Sequence, residues 1–315
     1  MKQQQGIALI TILVMVALAT ILAATIAKRQ AATAESTAYL MRQNQSLMYA
    51  KSAEAFFSEL LVDDAENAAD IDHLNETWAQ QMPPFPVDDG YIAGRLEDES
   101  GKFNLNSLVA EDGTVNEPAK KWFELILKRV GLPEQLSEAV IDWQDQDELP
   151  IGAMGAESIH YQGLPNAALP PNANFHSIEQ LKLVRGFEEN RYKLLLPYVT
   201  AAPLKDTQVN INTAPAALLA SLDDKLDVNA VQQALDLKFG KQEHFANVSE
   251  LWQVAPFDQI AAENRNQFAT LLGVKSQFFK ARIEVMLNER KRQFSSDLIR
   301  QDKQVYVSYR SMAPF

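Results

Sequence analysis

The residues best suited to chemistry form an acidic stretch in the middle of the 315-residue chain. In IDWQDQDELPIGAMGAES, a helical run leads into a loop containing glycine and proline. The acids of this segment are Asp142, Asp145, Asp147, Glu148 and Glu157. Carboxylate oxygens on a flexible loop suit Ca²⁺, which takes about six to eight oxygen ligands. The EF-hand frame is absent. The stretch predicts a site for one or two Ca²⁺ ions, with solvated loop acids as the alternative.

Catalytic chemistry finds little support in the sequence. The four histidines, His73, His160, His176 and His244, are far apart, and none belongs to an H-E-x-x-H motif. There is no G-x-S-x-G elbow, P-loop or dinucleotide-binding fingerprint. A chain without cysteine has no disulfide, thiolate zinc site or cysteine nucleophile. A Ser/His/Asp set could still assemble in three dimensions, but nothing in the sequence singles one out, and we expect each histidine to be a surface or core residue.

The charge distribution excludes one further class of protein. The formal net charge is -12, and the acids crowd at 54–99 and 142–157, whereas the bases concentrate near the C-terminus. A general nucleic-acid binder needs clustered Lys and Arg to neutralise phosphates, so we expect no nucleic-acid partner. We expect most of the acids in 51–99 to form a solvated surface.

The N-terminus predicts a membrane helix. Residues 7–27 carry no charge, and a helix of this length spans about 30 Å, the thickness of a bilayer core. The run exceeds the apolar part of a signal peptide and lacks a clear A-x-A cleavage site. Helix-forming residues continue through 28–62 without Gly or Pro. We therefore predict one helix of about 50 residues, half of it in the membrane; a long coiled coil is the alternative.

The C-terminus predicts β-strands. In FKARIEVML (279–287), apolar residues alternate with charged ones, which is typical of a strand with one buried face. NERKRQ follows as a predicted turn, and FSSDLIR and VYVSYR as two more antiparallel strands. Earlier, MPPFPVDDG predicts a loop, and GYIAGRLEDES a strand ending in a turn. The architecture predicted is a small sheet on the N-terminal helix, with a helical domain inserted between its strands.

The predicted insert contains an internal echo. FNLNSL (103–108) and VNINTA (209–214) each precede an amphipathic helical run. The second copy resembles a helix-hairpin-helix or SAM-like unit, but its turn carries acids instead of glycines and bases. We interpret it as a module for protein packing. Further helices are predicted at 134–143, 177–186, 228–239, 247–254 and 258–272.

The first residues add a resemblance. MKQQQG before IALITILVMVALAT resembles a prepilin leader, which a membrane peptidase cuts after the glycine, here Gly6, so that the mature chain begins at Ile7. Most pilin-like proteins carry Glu at the fifth mature position, where it is thought to pair with the N-terminal amine of a neighbouring subunit. Here that residue is Thr11, which cannot supply the charge. This favours a minor subunit at the fibre tip; a merely tolerated residue is the alternative.

With this leader, the chain is similar to the K-type minor pseudopilins of the type II secretion system in the blocks DESGKFNLNSL, IDWQDQD…GAE, SIEQLKLVRGF, LLPYVTA, VNINTAPAALL and SELWQV. The resemblance implies an α+β pilin fold: a long N-terminal helix on a small antiparallel sheet, with a large α-helical domain inserted between strands. It implies no enzymatic activity. The implied divisions are a leader (1–6), a transmembrane part (7–27), a pilin-like domain (28–106), the insert (107–272) and the C-terminal strands (273–315).

The resemblance also implies ligands, partners and location. Calcium would bind near Asp145, Asp147 and Glu157, with Asp142 and Glu148 as further candidates. The implied partners are the I- and J-type minor pseudopilins, the prepilin peptidase and the inner-membrane secretion platform. The chain would cross the inner membrane once, with a periplasmic C-terminal domain, and nucleate the pseudopilus tip to support export across the outer membrane. The alternative is a membrane-tethered periplasmic calcium-binding receptor or enzyme that uses the insert.

Overall fold

The computed structural model describes residues 4–67, 70–164, 169–188, 190–205 and 207–312, with side chains from residue 7 onward. Its first element is helix α1, Gln4–Asn67, which is longer than the predicted 50 residues. The first half of α1 is exposed, and a buried stripe begins only at Ser46. Ala50, Phe57 and Leu61 continue that stripe at helical spacing, which turns one face of the second half toward the sheet. Residues 1–3 of the predicted leader lie outside the described residues.

The antiparallel sheet has the order β1-β2-β7-β8-β9. Its strands are β1 (Phe85–Val87), β2 (Gly90–Asp98), β7 (Phe278–Leu287), β8 (Arg290–Gln301) and β9 (Gln304–Ser311). The strands predicted near the C-terminus and at 90–99 are confirmed.

Two predicted connections were only partly correct. MPPFPVDDG is not wholly a loop, because the chain reverses at Asp88-Asp89 and Phe85 pairs with Ile92 as part of β1. NERKRQ is not wholly a turn either. Asn288 and Glu289 both have positive φ, which makes a two-residue hairpin turn, so β8 already begins at Arg290.

The pilin core lies between α1 and the sheet. The buried face of β7 consists of the predicted alternating residues, Phe279, Ala281, Ile283, Val285 and Leu287. Strand β2 comes so close to α1 at Gly94 that a Cβ there would lie 2.8 Å from the ring of Phe57. A larger residue at this position would therefore have to displace the Phe57 ring or a neighbouring element.

The chain between β2 and β7 forms the insert. Its helices are α2 (Glu117–Arg129), α3 (Leu136–Asp142), α4 (Ser158–Gln162), α5 (Arg191–Leu195), α6 (Ala216–Ala220), α7 (Val228–Phe239), α8 (Val248–Leu251) and α9 (Ala262–Phe268). Two short parallel pairs join β3 (Phe103–Asn104) to β4 (Val199–Thr200) and β5 (Val209–Asn210) to β6 (Leu272–Gly273). The predicted α-helix at 177–186 is instead a 3₁₀ turn, Ile178–Leu183, and Gly186 follows it at φ 87°.

The internal echo corresponds to two similar structural units. In the first, the Asn106 side chain accepts from the N–H of Phe175 at 2.7 Å and donates to its carbonyl at 3.0 Å. In the second, Asn212 bonds in the same way to the N–H and carbonyl of Phe245, at 2.8 and 3.1 Å. Each asparagine therefore bonds to both backbone groups of a phenylalanine that is distant in the sequence, and each asparagine is almost fully buried.

Arg300 of β8 joins the pilin body to the insert. Its guanidinium pairs with Asp64 at the end of α1 at 2.7 Å, and with Asp72 in the segment that leaves α1. Asp72 also accepts from the N–H of Ser276 at 2.6 Å, and its carbonyl accepts from Asn210 of the insert at 3.0 Å. Asp72 was expected to be a solvated acid, but it is buried because this basic partner arrives from far along the sequence.

We expect Arg300→Met to destabilise the fold by about 3–5 kcal/mol, because it leaves two mostly buried carboxylates unpaired. The matched control is Lys128→Met, which breaks a pair with Asp224 whose side chains are 49% and 56% exposed. That control should cost far less, because solvent screens the exposed pair. Urea unfolding of the full chain in detergent would measure both values. Equal losses in the two variants would contradict the structural role given to Arg300.

Candidate functional site

The acidic stretch folds into a closed loop around the end of α3. Asp142, the last residue of α3, is fully buried. Its carboxylate accepts from the N–H of Ile151 at 3.1 Å and from the N–H of Ala156 at 2.7 Å. These two bonds fix the loop against the end of α3 at both residues. The chain passes so near that a Cβ at Gly155 would lie 2.4 Å from Asp142 Oδ2. Gly155 is therefore needed for the loop to approach the Asp142 carboxylate this closely.

Loop closure brings Asp145 and Glu157 beside Asp142. Carboxylate oxygens of the three residues lie within 4.8 Å of one another. Asp145 is 7% exposed and Glu157 is 3% exposed. Asp145 Oδ1 and both carboxylate oxygens of Glu157 are buried without a hydrogen-bond partner. Buried charged oxygens without partners are costly, so this arrangement suits a cation with oxygen ligands.

The electrostatics of the cluster agree with its geometry. Burial, followed by repulsion from Asp142, raises the pKa of Asp145 to about 7 and that of Glu157 to about 7. Burial also raises the pKa of Asp142 to about 6, although its two bonds from backbone N–H groups oppose the change. The three carboxylates therefore resist simultaneous ionisation at neutral pH unless positive charge joins them.

The other two predicted ligands lie outside this group. Asp147 is exposed and accepts from the N–H of Leu149 at 2.8 Å, and exposed Glu148 accepts from the hydroxyl of Ser158 at 2.9 Å. Both still repel Glu157 and contribute to its raised pKa. A direct ligand role for Asp147 and Glu148 stays a prediction, as does metal binding by the other three.

Among the described residues, a second group of three carboxylates consists of Asp64, Asp72 and Glu76. Here Arg300 lies between Asp64 and Asp72, and Glu76 accepts from the indole N–H of Trp78 at 2.7 Å. A guanidinium thus already supplies the positive charge in this group.

The histidines, far apart in the sequence, are not all apart in the structure. The rings of His73 and His244 stack with centroids 4.3 Å apart. His160 instead contacts the ring of Tyr161, and His176 is an exposed residue next to the 3₁₀ turn. Sequence reasoning missed the His73–His244 pair because 171 positions separate its members.

The N-terminal half of α1 is long and apolar enough to cross a membrane. The Thr11 hydroxyl donates to the carbonyls of Ile7 at 2.8 Å and Ala8 at 3.0 Å. Its polar group is therefore satisfied within its own helix and requires no partner in hydrocarbon. Gly6 is described here only as backbone at the start of α1.

A membrane-length helix that continues onto a small antiparallel sheet defines a pilin-like protein, and the large helical insert between β2 and β7 distinguishes this one. Two family models, both described as type II secretion system (T2SS) protein K, match residues 101–204 and 209–275. The chain belongs to this family of minor pseudopilins.

Its relatives match over almost their whole length. The chain is 32% identical to type II secretion system protein K of Aeromonas hydrophila, over 95% of this chain and 94% of that protein. It is also 32% identical to protein K of Pseudomonas aeruginosa, over 99% and 93%. A solved chain in the GspK-GspI-GspJ complex from enterotoxigenic Escherichia coli is 24% identical, with a TM-score of 0.79 over 89% of this chain and 99% of that one. The pilin fold with its helical insert is thus confirmed.

The raised pKa values predict an unusual dependence of stability on pH when a chelator is present. The folded chain binds more protons than the unfolded chain between the ordinary carboxyl pKa, about 4, and about 7. The free energy of unfolding should therefore fall as the pH rises from about 5 to about 8. Glu157→Gln removes a buried unpartnered carboxylate, so it should flatten this slope and stabilise the chelated chain by about 1–3 kcal/mol at pH 8.

The matched control is Glu59→Gln, an exposed position near the C-terminal end of α1. It should leave the slope unchanged. Urea unfolding in EDTA at several pH values would measure all three proteins, and a Glu157→Gln variant that loses stability at pH 8 would contradict this reading of the cluster.

Proposed function

We propose that this minor pseudopilin occupies the tip of the type II pseudopilus, where it nucleates assembly with the I- and J-type minor pseudopilins and so supports export across the outer membrane. The observation that carries the proposal is Thr11, whose hydroxyl is satisfied inside its own helix. A subunit without a carboxylate at this position needs no amine from an earlier neighbour. The first subunit of a fibre has no such neighbour.

The position of the insert supports the same role. The insert leaves the sheet at the end of β2 and returns at the start of β7, where Asp98 pairs with Phe279. This end of the sheet also meets the C-terminal end of α1 through Arg300 and Asp64, so it is the end farthest from the membrane half of the helix. A domain of this size at the distal end would obstruct another subunit above it, which suits a cap. The related Escherichia coli chain was solved in complex with GspI and GspJ.

The same proposal includes a cellular location and a maturation step. The apolar half of α1 would anchor the chain once in the inner membrane, with the rest in the periplasm, and the inner-membrane secretion platform would then add subunits beneath it. A prepilin peptidase would cut after Gly6 and leave Ile7 as the N-terminus. No catalytic role is proposed for the chain itself.

Ca²⁺ would bind at the acidic loop, where Asp142, Asp145 and Glu157 would hold it, with Asp147 and Glu148, whose charges act on Glu157, as further candidate ligands. The unpartnered oxygens of Asp145 and Glu157 make the group suitable for a hard cation. The ion would supply positive charge among buried carboxylates. Its effect would be structural, since it would fix the 142–157 loop against α3. The cluster could hold one ion, and a second would require the exposed acids.

Calcium binding can be tested on the full chain in detergent. Asp145→Asn with Glu157→Gln should abolish the heat of Ca²⁺ binding in calorimetry, because each substitution removes a carboxylate ligand. In the wild type, Ca²⁺ at about 100 times its dissociation constant should stabilise the fold by about 2.7 kcal/mol. The matched control, Asp302→Asn in the exposed β8–β9 turn, should bind as the wild type does. Undiminished binding by the double variant would disprove the site.

The maturation step has its own test. Gly6→Val should leave the leader attached and abolish secretion of the exported proteins, because the uncleaved chain cannot enter the fibre. Immunoblots of the chain and activity of exported enzymes in the medium would measure both effects. Gln4→Ala in the same leader should be processed normally. An uncleaved Gly6→Val chain with normal secretion would contradict the proposed role in fibre assembly and favour the receptor or enzyme alternative.

A further inference from the structure

Two histidines from opposite sides of the junction between pilin body and insert lie face to face. His73 belongs to the segment between α1 and the sheet, directly after Asp72, and His244 belongs to the connection between α7 and α8. Their ring planes are inclined by 25°, with centroids 4.3 Å apart. Both residues are half-buried, so the pair is accessible from solution at its edge.

The pair has an unusual hydrogen-bonding deficit. The Nδ1 atoms of both His73 and His244 are buried without a hydrogen-bond partner. A buried ring nitrogen without a partner costs free energy, and such groups in native proteins usually indicate a water or an ion. Since the two unpartnered nitrogens belong to adjacent rings, one bound species could serve both.

The chemistry of the pair favours a transition-metal cation. Burial, and then the neighbouring His244, lower the pKa of His73, which keeps its imidazole in the neutral form that binds metals. Neutral imidazole is a ligand for Zn²⁺, Cu²⁺ and Ni²⁺, whereas Ca²⁺ prefers oxygen. Asp72, the residue before His73, is already occupied by Arg300 and Ser276. Glu76 accepts from the backbone N–H of His73 and from the indole N–H of Trp78.

We propose that His73 and His244 form a binding site for a divalent transition metal, with Zn²⁺ as its best-suited ion, whose remaining positions are filled by water. A Zn–N bond is about 2.0–2.1 Å long, so two nitrogens on one tetrahedral ion lie nearer each other than the ring centroids do here. Because the lone pairs of an imidazole lie in its ring plane, both rings must turn out of the stack to direct a nitrogen at a common ion. The site shares no residue with the carboxylate cluster at the end of α3.

The backbones on both sides are fixed well enough to present such a site. The N–H of His73 donates to Glu76 at 3.0 Å, and the residue before it is held by Ser276 and Arg300. The residue after His244 is Phe245, whose N–H and carbonyl both bond to Asn212. A bound ion would therefore cross-link the α1-to-sheet segment to the second repeat of the insert.

The test uses the full chain in detergent, with Ca²⁺ in excess so that the carboxylate cluster does not take up the added metal. Calorimetric titration with Zn²⁺ should show one equivalent of binding in the wild type. Loss even of a supporting residue weakens metal sites by about 10–100-fold, so His73→Gln and His244→Gln should each weaken binding by at least about tenfold. The matched controls, His160→Gln and His176→Gln, should bind as the wild type does.

A second measurement requires no substitution. Paramagnetic Ni²⁺ added to ¹⁵N-histidine-labelled protein should broaden the ring signals of His73 and His244 before those of His160 and His176. The proposal is overturned if the wild type binds no stoichiometric Zn²⁺, if His73→Gln and His244→Gln bind as tightly as the wild type, or if Ni²⁺ broadens all four histidines alike.

Discussion

The structure depends on one buried cation, the guanidinium of Arg300. It meets Asp64 at the end of α1 and Asp72 in the following segment, and it also donates to the carbonyl of Ser276 at 2.8 Å. These contacts connect the membrane helix, the sheet and the start of β7 at a single point. Because a guanidinium carries several donors in a fixed plane, it can bind all three acceptors at once, which an ammonium could not do with the same geometry.

The two carboxylate clusters illustrate the same constraint in opposite ways. In Asp64, Asp72 and Glu76, the chain supplies the compensating charge from its own strand β8. In Asp142, Asp145 and Glu157, backbone N–H groups stabilise only the first carboxylate, and oxygens of the other two have no partner. A cluster that includes its own cation is complete after folding, whereas one that lacks it gains stability from an ion in solution. This difference explains why the cluster at the end of α3, and not the cluster around Arg300, is the candidate metal centre.

The sequence allowed the periodic elements to be predicted, but not the contacts between distant segments. The uncharged run from Ile7 and the alternation in β7 depend on local spacing, so both were predicted correctly. The burial of Asp72 was not, because its partner Arg300 lies 228 positions away. One available pattern was missed: FHSIEQL (175–181) and FANVSEL (245–251) have similar spacing, and each begins with the phenylalanine pinned by an insert asparagine. Comparison of these segments would have extended the echo to two full repeats.

The insert is held to α1 and the sheet by more than the two strands that connect it to the chain. The insert joins the sheet through two adjacent strands, β2 and β7, and two neighbouring strand ends alone would form a hinge. Additional bonds limit that freedom: Asp98 of β2 accepts from the hydroxyl of Thr213 in the insert at 2.5 Å, and Asn210 donates to the hydroxyl of Ser276 at 2.7 Å. Asn210 also bonds the carbonyl of Asp72, next to the Arg300 contact. A displacement of α1 would therefore be transmitted to the insert through a continuous set of buried polar contacts.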